Sequence, residues 1–208
     1  NTLEGHTRAV RAVCVTSDGE TIVSVSDDHT LCLWRRSTSE LLNILEGHNA
    51  AGYGVCGYGV TAVSITPDGE MIVSGSNDKT VRLWRRSTAE LLNTLEGHTG
   101  AVTAVCVTPK GEMIASGSRD TTVRLWRRST GELLNTLEGH TRAVRAVCVT
   151  SDGETIVSVS DDHTLCLWRR STSELLNILE GHNAAGYGVC GYGVTAVSIT
   201  PDGEMIVS

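Results

Sequence analysis

The sequence predicts an all-β fold in which one small antiparallel sheet is repeated along the chain, four times in full and once in part. Three observations predict it. Gly-His recurs at 5–6, 47–48, 97–98, 139–140 and 181–182, at intervals of 42, 50, 42 and 42 residues. Leu-Trp-Arg-Arg-Ser-Thr begins at Leu33, Leu83, Leu125 and Leu167 with the matching intervals. Between these markers, short β-branched and aliphatic runs alternate with turn-forming clusters, and no segment spaces its apolar residues as a helix would. A fixed period of this length marks stacked supersecondary units.

The third unit shows the elements in order. Ala101–Thr108 reads as a first strand and Pro109-Lys-Gly-Glu as a turn. Met113–Ser118 is a second strand, Arg119-Asp-Thr a tight turn and Thr122–Trp126 a third strand. Arg127–Gly131 is a loop, and Leu133–Leu137 is a fourth strand ended by Glu-Gly-His. Pro67, Pro109 and Pro201 occupy one turn slot, which suits a residue of fixed φ. The units are expected at about 8–46, 47–96, 97–138, 139–180 and, in part, 181–208. The 50-residue interval is the 42-residue unit with eight extra residues after His48.

A longer repeat is superimposed. Residues 1–74 are identical to residues 135–208, an offset of 134. Such identity marks either a recent duplication of a three-unit block or deliberate construction. The fifth unit stops after its second strand, at Ser208. The chain is therefore expected either to be a piece of a longer array or to leave an open edge that a second chain completes.

Composition narrows the function. The formal net charge of -7 argues against nucleic acid as a partner, because phosphate binding needs a basic surface. No apolar run is long enough to span a bilayer, so no membrane role is expected. The N-terminal Asn-Thr-Leu-Glu-Gly-His lacks a signal-peptide pattern. The seven cysteines recur with the units: Cys14, Cys106 and Cys148 share one position, Cys32 and Cys166 another, Cys56 and Cys190 a third. They read as small apolar residues in a reducing compartment, which points to the cytoplasm.

A 42-residue unit of four strands, with Gly-His near its start and Trp closing the third strand, resembles the WD-repeat β-propeller. The resemblance covers essentially the whole chain. It implies an all-β propeller of four-stranded antiparallel blades, four complete and one partial. It also implies that each blade is pinned by a hydrogen-bonded tetrad of His, Ser, Asp and Trp. The matching residues are His6, Ser24, Asp28 and Trp34 in the first blade, and His48, Ser74, Asp78 and Trp84 in the second. They are His98, Ser116, Asp120 and Trp126 in the third, and His140, Ser158, Asp162 and Trp168 in the fourth. The fifth keeps His182 and Ser208. The family usually has Asp after the Trp; here Arg35, Arg85, Arg127 and Arg169 stand in that place. Recurrence in every blade suits stapling and not a single Ser-His-Asp active site, so no catalytic residue is assigned.

The resemblance places partner-binding positions on the upper face, beside the Gly-His histidine and before the tetrad Asp. These are Arg11 and Asp27, Thr61 and Asn77, Thr103 and Arg119, and Arg145 and Asp161. Tyr53 and Tyr58, in the insertion Ala50-Ala-Gly-Tyr-Gly-Val-Cys-Gly-Tyr-Gly, add a composition suited to recognition. The eight Arg of the lower-rim loops are each pair followed by Glu40, Glu90, Glu132 or Glu174, which balances much of their charge. His29 and His163 lie in turns with no ligand set around them, so no metal and no cofactor is expected. The function expected is a non-catalytic scaffold that binds a protein or peptide through its upper-face loops. The alternative is a structural repeat unit, natural or engineered, that self-associates through its incomplete blade.

Overall fold

Near-continuous apolar runs such as those of Thr21–Ser26 and Thr30–Arg35 put apolar side chains on both faces of a sheet, and each face needs a neighbour. In the computed structural model, which describes residues 2–48, 59–180, 194–200 and 205–207, successive sheets supply that neighbour. Blade one is β1 (Val10–Val15), β2 (Thr21–Ser26), β3 (Thr30–Arg35) and β4 (Glu40–Glu46). Blade two is β5 (Val60–Ile65), β6 (Met71–Ser76), β7 (Val81–Arg85) and β8 (Leu91–Leu95). Blade three is β9 (Val102–Val107), β10 (Met113–Ser118), β11 (Val123–Arg127) and β12 (Leu133–Leu137). Blade four is β13 (Val144–Val149), β14 (Thr155–Ser160), β15 (Thr164–Arg169) and β16 (Leu175–Glu180). A two-stranded sheet follows, β17 (Ser198–Ile199) and β18 (Ile206–Val207). Strands pair antiparallel in chain order within every sheet, and no helix occurs among the described residues. The strand limits of the third unit differ from the sequence expectation by a residue at some ends.

The core lies between blades. Val23, Val25, Leu31 and Leu45 of blade one pack on Val60, Ile72 and Trp84 of blade two. Val73, Val81, Leu83 and Leu95 then pack on Val102, Ile114 and Trp126. Ala115, Val123, Leu125 and Leu137 pack on Val144, Val147, Ile156 and Trp168. Val157, Val159 and Leu165 of blade four meet Val194, Val197, Ile199 and Ile206 of the partial sheet. Each blade thus has a front, which carries its Trp and faces the preceding blade, and a back, which faces the next. Burying a Val, Leu or Ile side chain contributes about 1.5–3 kcal/mol, so these seams hold the array.

One irregularity recurs in the innermost strand. The register slips between Val10 and Ala12, Val60 and Ala62, and Val144 and Ala146, and opposite Val102 and Ala104. The extra residues are Arg11, Thr61, Thr103 and Arg145. A bulge of this kind re-aims one side chain out of the alternation. His182, Ser208, Tyr53, Tyr58 and the rest of the insertion up to residue 58, its whole copy, and Cys56, Cys190 and Pro201 lie outside the described residues.

Candidate functional site

The structure brings the four tetrad side chains of each complete blade together in one geometry. In blade one, Trp34 Nε1–H donates to Ser24 Oγ at 2.8 Å, Ser24 Oγ lies 2.8 Å from His6 Nε2, and His6 Nδ1 lies 2.9 Å from Asp28 Oδ2. The same three contacts join Trp84, Ser74, His48 and Asp78, all at 2.8 Å. They join Trp126, Ser116, His98 and Asp120 at 2.8 Å as well. In blade four they join Trp168, Ser158, His140 and Asp162 at 2.8, 2.8 and 2.9 Å. An indole only donates, so the serine oxygen accepts there and spends its own hydrogen on Nε2. That leaves the imidazole hydrogen on Nδ1, facing the carboxylate.

The glycine of Gly-His has a steric reason. A Cβ on Gly5 would come within 2.8 Å of the Trp34 ring, and one on Gly139 within 2.9 Å of Trp168.

Each tetrad carboxylate also ties the tight turn down. Asp28 accepts from the backbone N–H of Thr7 at 2.9 Å and of Thr30 at 3.0 Å, and from the Thr30 hydroxyl at 2.6 Å. Burial raises the pKa of Asp28, but the hydrogen bonds from Thr30, Thr7 and His6 outweigh it and hold it at about 2. Asp78 and Asp162 are likewise held at about 2, against burial, by bonds from their histidine and threonine partners. Asp120 is lowered in the same way. Burial lowers the pKa of His48 against the pull of Asp78, which favours a neutral ring beside an ionised carboxylate.

At the tight-turn end, the four expected binding pairs divide into two kinds. Arg11 and Asp27 form a two-pronged ion pair, with Arg11 Nε donating to Asp27 Oδ1 at 2.8 Å. Arg145 and Asp161 do the same at 2.8 Å. Thr61 and Thr103 form the second kind. The bulge turns each hydroxyl across a blade boundary: Thr61 Oγ1 lies 3.0 Å from Gly75 O and 2.5 Å from Val102 O of blade three. Thr103 Oγ1 lies 3.0 Å from Gly117 O and 2.6 Å from Val144 O of blade four. Asn77 donates its backbone N–H to Gly59 O, and Arg119 donates its own to Ala101 O while its side chain stands exposed. Tyr53 and Tyr58 belong to the segment outside the described residues.

The opposite rim holds two sets of ion pairs, the second of which sequence reasoning missed. The first Arg of each pair meets the following Glu: Arg35 with Glu40, Arg85 with Glu90, Arg127 with Glu132 and Arg169 with Glu174. The second Arg reaches back to the preceding blade. Arg86 Nη1 lies 3.3 Å from Asp18 Oδ2, and Arg128 Nη1 lies 2.8 Å from Asp68 Oδ2. In blade three Lys110 holds the slot of Asp18 and Asp68, so Arg170 finds no acid there. It turns to Glu154 of its own blade at 3.0 Å, and its buried Nε makes no hydrogen bond. Lys110→Asp is therefore expected to stabilise the chain by up to about 1 kcal/mol. A rise in the urea midpoint at low salt that vanishes at high salt checks it.

A second missed feature lies beside the relay. Blades one and four place Cys32 and Cys166 next to the tetrad, paired across the sheet with Ile44 and Ile178. Blades two and three place Arg82 and Arg124 there, paired with Thr94 and Thr136. The pairs keep one spacing in the sequence, and that covariation was the available signal. Among the described residues, five cysteines are free and no His, Cys, Asp or Glu group is arranged to hold a metal. No helix of the described residues is long and apolar enough to cross a membrane.

The family model described as "WD domain, G-beta repeat" matches residues 1–35, 39–85, 89–127 and 131–169. Its four matches together cover most of the chain. No curated protein matches it.

Proposed function

Because the chain belongs to the WD domain, G-beta repeat family, we propose that it is a non-catalytic scaffold binding a protein or peptide at the tight-turn end of its blades. Repeats of this family generally mediate protein interactions, and the finer placement is our reading. One observation carries it. The blades share one frame, yet the residue before the tetrad Asp differs among the three distinct blade sequences: Asp27 in blade one and its duplicate Asp161 in blade four, each beside the arginine Arg11 or Arg145, then Asn77 in blade two and Arg119 in blade three. A constant frame with varied polar tips is how a rigid scaffold presents specificity. The serine of each relay is buried and its oxygen already accepts the indole N–H, which leaves a substrate no approach to it.

Arg119 stands exposed in this set, so it provides the test. The labelled chain is applied to a peptide array, alongside Arg119→Glu and a control change on the other rim, Ser129→Glu. Loss or exchange of bound peptides with Arg119→Glu, and an unchanged set with Ser129→Glu, is the expected result. Absence of any bound peptide, or one pattern shared by all three proteins, overturns the reading.

A further inference from the structure

We propose that the rim between blades three and four, on the side away from the tight turns, binds a short-chain carboxylate, with Lys110 and Arg170 holding its charge. The site lies between two complete blades and uses a different surface from the tight-turn end, so it does not depend on the reading above.

The three seams between complete blades share one device, which allows a comparison. The second Arg of a blade reaches the turn between the first two strands of the blade before it. Arg86 Nη1 lies 3.3 Å from both Asp18 Oδ2 and Thr21 Oγ1 of blade one. Arg128 Nη1 lies 2.8 Å from Asp68 Oδ2 of blade two. Arg170 enters blade three at the same place, because its Nη1 lies 3.6 Å from Met113 Sδ and Met113 holds the position of Thr21. The carboxylate is what differs: Lys110 stands where the other two seams have Asp18 and Asp68. A thioether is a weak acceptor and does not replace it.

Two cations therefore share a notch that elsewhere pairs a cation with an anion. The turn that carries Lys110 reaches the next blade, since a Cβ on Gly153 would lie 3.7 Å from Pro109 Cδ. The acids nearby are held within blade four. Glu154 Oε1 meets Arg170 Nη2 at 3.0 Å, and Asp152 accepts from the Thr150 hydroxyl at 2.5 Å and from the Glu154 N–H at 2.8 Å. Arg170 Nη1 is left facing sulfur, and its buried Nε makes no hydrogen bond. An oxyanion in the place of the missing Asp meets both cations through charge-assisted hydrogen bonds. A single negative charge suits the notch, because the second charge of a phosphate would oppose Glu154 and Asp152.

The space beside the guanidinium decides what the carboxylate carries. A pocket of about 280 Å³ is lined by Arg170, by the apolar Met113, Leu125 and Leu134, and by polar side chains that include Asn135 and Ser173. Asn135 Nδ2 donates to Ser173 Oγ at 2.5 Å, so that polar edge is already paired. In the seam before, Gly131 holds the place of Ser173, and a Cβ there would come within 2.3 Å of Asn93 Nδ2. Ser173 thus keeps Asn135 from closing in as Asn93 does: Asn135 is exposed and Asn93 half-buried. The pocket left open takes a short aliphatic chain against Met113, Leu125 and Leu134.

Butyrate is the probe, added at constant ionic strength to the 208-residue chain while the amide signals of Gly111 and Ser173 are followed by nuclear magnetic resonance. Saturable shifts at both amides are expected. Formate, which has the charge without the chain, is expected to bind about tenfold more weakly. Lys110→Asp restores the carboxylate of the other seams and is expected to weaken butyrate by about tenfold or more. The position is exposed and the change is expected to stabilise the chain, so unfolding does not account for the loss. Absence of a saturable butyrate shift overturns the proposal, as does equal affinity in the parent and in Lys110→Asp. Inorganic phosphate binding where butyrate does not overturns the choice of a carboxylate, and formate binding as tightly as butyrate overturns the role of the pocket.

Discussion

Trp168→Phe is expected to destabilise the chain by about 1–3 kcal/mol, and Trp34→Phe by distinctly less, although the two tryptophans sit in identical sequence. Both indoles donate to a serine at 2.8 Å, and both are 2% exposed. Phenylalanine removes the donor in each case and leaves a serine oxygen short of one partner. What differs is access to water. Ser158 lies sealed behind blade three, so its oxygen stays unsatisfied. Ser24 borders the open cavity in front of blade one, where water can replace the indole. Urea unfolding of the two variants measures the difference directly. Equal losses would show that the relay's worth does not depend on burial. A loss near zero at Trp168 would remove the relay from the account of blade stability.

Acid is the second large lever. Asp28, Asp78 and Asp162 have pKa values of about 2 in the folded chain, against 3.8 as a reference. A carboxyl whose folded value is depressed adds stability that is fully present above its unfolded value and is lost as pH falls through the folded one. These side chains are nearly buried, so each shift corresponds to about 2 kcal/mol at neutral pH. The loss is expected mainly between about pH 4 and pH 2. The lowered pKa of buried His48 acts in the same direction, because the folded state disfavours its charged ring and acid must charge it. Denaturant midpoints measured stepwise from neutral to acid pH should stay level and then fall by an amount equivalent to several kcal/mol. Replacing one carboxylate, as in Asp120→Asn, should lower the neutral plateau and shrink the acid drop. A midpoint insensitive to acid would show that the carboxylates are not held by the contacts described.

Much of this could be read from residues alone, for a physical reason. Strand order within a blade follows from local alternation and turn chemistry, so Met113–Ser118 and Leu133–Leu137 were legible without coordinates. The tetrad residues were legible because four recurrences fix their spacing. The seams between blades were less so. Arg128 and Asp68 stand 60 positions apart, and nothing in a strand pattern links them. Only the parallel pairing of Arg86 with Asp18 could have hinted at it, and the insertion after His48 disguises that match. The cross-blade bonds of Thr61 and Thr103 were not legible, because they depend on a bulge that alternation does not reveal. The exposure of Val13 was invisible for a more basic reason: the same letters at Val147 are buried, so only surroundings tell them apart.

The duplicated block has a consequence for inheritance. Residues 1–74 and 135–208 are the same, and among the described residues the main contacts of each sheet are with the sheets before and after it. A crossover between the two stretches, at any aligned point, adds or deletes 134 residues, which is three sheets. Every junction it creates already exists in the parent, because the sheet of Ala115 and Leu137 again precedes one bearing the residues of Val144 and Trp168. The gene can therefore change length in steps of three sheets while no contact is invented, and lineages carrying it are expected to differ by whole multiples of that block.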